Sequence, residues 1–287
     1  MQNDKINLSL IIPIGLMLFS FFFGAGNLIF PPVLGQMAGE NIGWGMLGFC
    51  LSGVGFPLLG VLAMAMKQSD NPDSIAMPMH PLYARAVTIL CALAIGPLFA
   101  IPRTAAVSFD TGIHSLLPAS CEAIGLPVYT VFFFVLTYFF SINPSKIIGH
   151  IGKFLSPMLL ICLAVLVICV FVNPTGSLKM PNPDFAVSPF FRGFQEGYNT
   201  MDLLAAILFG SITIKAIEAQ GITDKKVLTK LCSYAGLIAA FFLAIIYAAL
   251  AYTGALSINV FGVIPNGATL LSKICTYYMG FGGQIVL

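Results

Sequence analysis

Apolar residues run through this chain in long blocks, not in the alternation of a half-buried strand or the single stripe of a soluble helix. A helix needs about 20 such residues to cross the hydrocarbon core of a bilayer. Seven blocks approach or exceed that length, at 9–37, 44–66, 85–109, 126–142, 154–172, 194–216 and 231–253, and a further apolar run begins at 282–287. The pattern predicts an all-α polytopic membrane protein, a single transmembrane domain over 1–287. The first block is retained and not a cleaved leader, because Asp4 sits beside Lys5, no small-x-small site follows, and the apolar pattern continues past Phe30. Between blocks, 173–192 carries Pro174, Pro181, Pro183, Pro189 and Gly176 and predicts ordered loop or short helix. In the loop 217–230, Thr223 or Asp224 is placed to cap a short surface helix after Gly221. Segment 266–279 is too polar and short to span, and predicts a helix lying over the external face.

Lys and Arg then orient the blocks. With a cytoplasmic N-terminus, Lys5, Lys67, Arg85, Lys146, Lys153, Lys215, Lys225, Lys226 and Lys230 fall inside, and Lys179, Arg192 and Lys273 outside. The asymmetry holds over every loop, which supports both the orientation and the span count. Leu287 falls a few residues into an apolar run with no basic stop, so the sequence reads as incomplete.

Composition agrees: 58% of residues are hydrophobic and 8% charged, where soluble domains run near a quarter charged. A formal charge of +2, dispersed along the chain, is no nucleic-acid footprint. Cys50, Cys91, Cys121, Cys162, Cys169, Cys232 and Cys275 stand singly, with no Cys-x-x-Cys, and read as small packing residues. His80, His114 and His150 lie in loops or at span ends without a partner at ligand spacing. No nucleophile and base pair appears in the spans, so the chain is not read as an enzyme. The phenylalanine-rich runs 19–23 and 132–134 read mainly as lipid-facing or packing residues, the first with members that line a cavity.

Chemistry gathers where the helical pattern fails. The first block contains Gly24-Ala25-Gly26-Asn27 at mid-span, followed by Pro31 and Pro32 in what reads as the first turns of a restarted half-helix. Broken backbone is tolerated at membrane depth only where it faces a cavity or protein. In secondary carriers the ends of such half-helices bind substrate and ions. The competing reading is that Gly24 and Gly26 merely allow close helix packing. The sixth block, with Gly197-Tyr198-Asn199-Thr200-Met201-Asp202, weighs against it, since a carboxylate at that depth is costly and marks function. These two blocks run in opposite directions, as an inverted repeat requires. Arg103 is the other buried charge, in a third block kinked by Pro97 and Pro102; it either pairs with Asp202 or Glu196, or snorkels to the external interface.

Taken with Leu28-Ile29-Phe30-Pro31-Pro32 and Gly96-Pro97-Leu98-Phe99-Ala100-Ile101-Pro102-Arg103-Thr104, these motifs resemble the branched-chain amino acid:cation symporters, the BrnQ-type system II carriers of bacteria. The resemblance covers essentially the whole chain. It implies a multi-pass protein of the bacterial plasma membrane that takes up leucine, isoleucine and valine by sodium symport, with sodium as coupling ion and no other cofactor. That family is similar in fold to the neurotransmitter:sodium symporters, which implies a partial five-helix inverted repeat, 9–172 and an incomplete 191–287. By that likeness the N–H groups of Ala25 and Gly26, beside Gly24, hold the substrate carboxylate. Carbonyls around Tyr198 and Asn199, with Met201 nearby, receive the ammonium. Asn27, Thr200 and the Phe22 carbonyl bind one sodium, and the Ser20 and Phe23 carbonyls supply half of a second site. The other half lies on an eighth helix in such folds, beyond this sequence. A nontransporting fragment or a channel-like membrane protein is the alternative.

Overall fold

A computed structural model of the protein describes residues 8–114, 117–118, 122–142, 156–222 and 224–280. Among them are helices and connecting turns, with no strand. Lys5, Cys121, Lys146, His150, Lys153, Thr223 and the run at 282–287 lie outside the described residues.

The first block is two helices. α1, Leu8–Phe22, is apolar apart from Ser9 and Ser20 and ends at the Phe23-Gly24 step, and α2 runs Ala25–Ala38. After a 3-10 turn at Gly39–Asn41, α3 (Ile42–Cys50) and α4 (Phe56–Lys67) follow, joined through a π-type turn at Leu51–Gly55. α5, Pro81–Leu93, and α6, Ala100–Ser108, are parted by a kink in which Gly96 leaves helical geometry (φ −81, ψ −117). The kink therefore sits at Gly96 and Pro97. Pro102 falls in the first turn of α6, where a missing N–H removes no helical bond. α7 is Glu122–Ser141, α8 Ser156–Val172, α9 Pro183–Val187 and α10 Pro189–Tyr198. α11, Asp202–Glu218, continues α10 after a bend of 46°. α12 is Lys225–Phe261 and α13 Gly267–Met279.

Four helical stretches among the described residues are long and apolar enough to cross a membrane, or five when the bent pair α10 and α11 counts as one span. This is fewer than the seven blocks expected, for a local reason: the break at Phe23-Gly24 leaves α1 short of a span by itself, and α8 is described only from Ser156. Two loop expectations change. Asp224 caps no separate surface helix; its carboxylate accepts from Lys226 and Val227 N–H at 2.8 and 3.0 Å and starts α12 itself. At 266–279 a helix does form, capped by Asn266, but Leu270, Leu271, Ile274 and Cys275 are buried, so its inner face is part of the core.

Two close helix crossings hold the bundle. Where α2 meets α12, a methyl on Gly35 would run into the Ala251 carbonyl and one on Gly254 into the Pro32 carbonyl. Where α3 meets α10, Gly48 faces the Phe190 carbonyl and Gly193 that of Gly45. Without hydrophobic drive between helices in lipid, backbone approach through small residues supplies the packing. Each crossing is pinned by a buried polar side chain. Gln36 donates to Ser257 Oγ (2.9 Å) and the Gly262 carbonyl (3.1 Å) and accepts from Ile264 N–H (2.9 Å). Ser52 donates to the Phe194 carbonyl at 2.7 Å.

The ends of the bundle sort the charges. Lys215 pairs with Asp70 (3.6 Å), Arg85 with Asp73 (3.7 Å), and Gln68 reaches the Lys225 carbonyl (3.4 Å). These contacts bring Arg85, Lys215 and Lys225 to the segment that follows α4. At the α2 to α3 turn, Glu40 N–H donates instead to the Lys179 carbonyl (2.9 Å).

Candidate functional site

The two helix breaks lie against each other. At the first, Gly24 is extended (φ −116, ψ −171), and its N–H donates to Asn27 Oδ1 at 3.1 Å. The side chain three positions into α2 thus turns back to satisfy the backbone at the break, as in half of a capping box. Pro31 and Pro32 do not sit in the first turn of the restarted helix, since α2 begins at Ala25. They fall a turn later, so the carbonyls of Asn27 and Leu28 have no helical N–H four residues on.

At the second break, Met201 adopts φ +69, ψ +11, a left-handed conformation unusual for a residue with a side chain. Its N–H donates to the Tyr198 carbonyl (3.0 Å), and Thr200 N–H and Oγ1 both donate to the Gly197 carbonyl (3.3 and 2.7 Å). The released carbonyls are therefore those of Asn199 and Thr200. The Tyr198 carbonyl already accepts one hydrogen bond within the turn. The side chains of Tyr198 and Asn199 are exposed, and Met201 is partly buried.

Asn27 joins the breaks. Its Nδ2 donates to Asp202 Oδ2 at 2.6 Å and to the Tyr247 hydroxyl on α12, and Tyr247 donates to Asp202 Oδ2 at 3.4 Å. Asp202 N–H lies 3.5 Å from Thr200 Oγ1. Asn27, Thr200, Asp202 and Tyr247 are all buried. Two residues expected at one ion site, Asn27 and Thr200, thus converge on a carboxylate. Tyr247 was missed by sequence reasoning: it stands in an apolar run of α12, where a tyrosine carries no mark distinguishing it from Tyr252. Phe23 stacks on it with ring centroids at 6.3 Å, and Phe49 meets it edge-on at 5.2 Å. Phe19, Phe22 and Phe23 are buried, so this part of the first phenylalanine run is core rather than lipid-facing. Ser20 Oγ donates to the Leu16 carbonyl at 2.8 Å, back along α1.

Arg103 forms no ion pair within 4.0 Å among the described residues. Its guanidinium donates to the Asn199 carbonyl (2.9 Å) and the Thr200 carbonyl (3.2 Å) and lies over the Phe30 ring, 5.5 Å from the centroid. Glu196 bonds Asn199 Nδ2 at 3.3 Å. A methyl on Gly26 would come within 2.7 Å of the guanidinium, so Gly26 makes room for Arg103. No group of three or more His, Cys, Asp and Glu side chains among the described residues is placed to hold a metal ion.

A helical bundle with membrane-length apolar segments, and with two interrupted helices meeting at their breaks, defines a polytopic membrane protein. The profile of a family described as "Branched-chain amino acid transport protein" matches residues 7–287. The branched-chain amino acid permease BrnQ of Bacillus subtilis (strain 168) is 45% identical over 286 residues, covering 100% of this chain and 65% of the permease. The permease BraB of the same organism is 43% identical over 276 residues, 96% of this chain and 62% of its own length. For BrnQ of Escherichia coli (strain K12) the figures are 37% over 277 residues, 96% and 62%. No solved structure matches the chain. The chain belongs to the branched-chain amino acid transport protein family, and it spans 62% to 65% of the length of these curated relatives.

Proposed function

We propose that this chain forms the substrate-binding portion of a sodium-coupled symporter for leucine, isoleucine and valine in the bacterial cell membrane. The observation that carries the reading is the meeting of the Gly24 break with the Thr200-Met201 break through Asn27 and Asp202. Backbone N–H groups at the start of α2 present partial positive charge suited to a carboxylate. The Asn199 and Thr200 carbonyls present the opposite partial charge, suited to an ammonium. Sodium, a hard cation, takes oxygen ligands; the Phe22 carbonyl, Thr200 Oγ1 and the Asn27 amide oxygen, turned from Gly24 N–H by a flip of the amide, supply them, and the Asp202 carboxylate provides the compensating charge. A second sodium involves the Ser20 and Phe23 carbonyls, at the end of α1. In the same reading 9–172 and 191–287 are the two members of an inverted repeat, seven spans and the start of an eighth, with the N-terminus in the cytoplasm.

The test is accumulation of radiolabelled leucine by cells producing the protein, with sodium then replaced by choline. Accumulation collapses in choline if the coupling is right, and persists unchanged if it is wrong. Asp202→Asn keeps the size of the side chain and removes its charge; sodium-dependent leucine uptake falls at least about tenfold, corresponding to about 1.4 kcal/mol. Leucine flux that never exceeds the external concentration points to the channel-like alternative.

A further inference from the structure

Arg103 is placed as a ligand is placed. Its two terminal nitrogens rest on the Asn199 and Thr200 carbonyls, where the proposed site would receive an ammonium, and its Nε is buried without a hydrogen-bond partner. Its planar fork, whose geometry matches a carboxylate, meets two main-chain carbonyls instead, and no carboxylate lies within 4.0 Å among the described residues. We infer that the Asn199 and Thr200 carbonyls are a cation seat that Arg103 fills from within the chain, and that a primary ammonium group competes with the guanidinium for it. This rests on the proposed substrate site only for the source of the ammonium, an amino acid. The seat itself follows from the two released carbonyls, the neighbouring Asp202 and Glu196 carboxylates, and the gap at Gly26.

The competition has a sign. Removing the guanidinium empties the seat, so an external cation with N–H donors binds better, whereas an arginine that clamps a substrate carboxylate gives the reverse. Thermal unfolding of the purified chain in lipid nanodiscs reads the first property directly. Arg103→Ala is stabilised saturably, by several degrees, by methylguanidinium and by 3-methylbutylammonium. Tetramethylammonium, which has no N–H, does not stabilise it, and the unsubstituted chain responds at least fivefold less. Equal responses to all three cations, no response, or stabilisation by sodium alone overturns the seat. Arg103→Gln, which keeps a polar side chain but stops short of the two carbonyls, covers the case in which the alanine variant does not fold. In this variant leucine binds at least fivefold more tightly than in the unsubstituted chain, while 4-methylpentanoate, which lacks the ammonium, binds unchanged. Weaker leucine binding overturns the competition and gives Arg103 to the carboxylate. Cation responses as expected, with leucine bound by neither protein, leave the seat standing and overturn the transport reading instead.

Discussion

The two breaks solve one physical problem by different means. At the first, the chain turns through an extended Gly24, and a side chain on the following helix, Asn27, satisfies the exposed N–H at 3.1 Å. At the second there is no glycine at the bend. Met201 takes the left-handed conformation, and the freed carbonyls are held by Arg103 from another helix. A left-handed residue with a side chain costs about 1–2 kcal/mol, and persists only where its surroundings determine it. The first break is therefore locally encoded and the second imposed by tertiary contacts, which makes the second the side better suited to rearrange.

The largest expected effect in this comparison is at the residue both breaks share. Asn27→Ala removes the acceptor for Gly24 N–H and the donor to Asp202, leaving a buried carboxylate one hydrogen bond short; the loss is about 3 kcal/mol, read as a lower unfolding temperature in nanodiscs. Retained stability in that variant shows that the breaks are held together by something other than Asn27.

Next is the coupling between Gly26 and Arg103. Gly26→Ala forces the guanidinium aside, and Arg103→Gln relieves the crowding, so a double-mutant cycle gives an interaction of about 1 kcal/mol. Additive effects place Arg103 away from Gly26. At the second break, Met201→Gly accepts φ +69 without strain and stabilises the chain by about 1 kcal/mol; destabilisation instead shows that the methionine side chain packs for more than its backbone costs. The smallest effect belongs to the residue that first drew attention. Gly24 has extended dihedrals open to any residue, and a methyl there would meet only Asn27 Oδ1 at 3.7 Å. Gly24→Ala changes stability by less than about 0.5 kcal/mol. A loss of leucine binding in that variant would be steric and confined to the site.

Legibility follows the same division. Gly24, Gly26, Asn27, Thr200 and Asp202 stood out because polar and helix-breaking residues are conspicuous inside apolar blocks. Gln36 carries the same signal, a lone amide near the end of a block. Arg103 is conspicuous as a lone charge in an apolar block but its partners are not, because no opposite side-chain charge marks them. The acceptors are main-chain carbonyls that exist only once the chain bends. Tyr247 gave no signal, since an aromatic ring in an apolar helix looks the same whether its hydroxyl meets lipid headgroups or a buried carboxylate.

The sequence by itself determined that the chain is helical and membrane-spanning, where its charged ends cluster, and that two of its segments are interrupted. Those properties depend on composition along a line: apolar length, basic residues between blocks, and residues that cannot continue a helix. Only the tertiary structure decided which groups face each other across the breaks. The turn at Met201 selects the Asn199 and Thr200 carbonyls, the α2 to α12 crossing at Gly35 and Gly254 brings Tyr247 to Asn27, and the kink at Gly96 and Pro97 delivers Arg103 to Gly26. Each of these depends on distances between residues far apart in the chain, which close helix packing sets and local propensity does not.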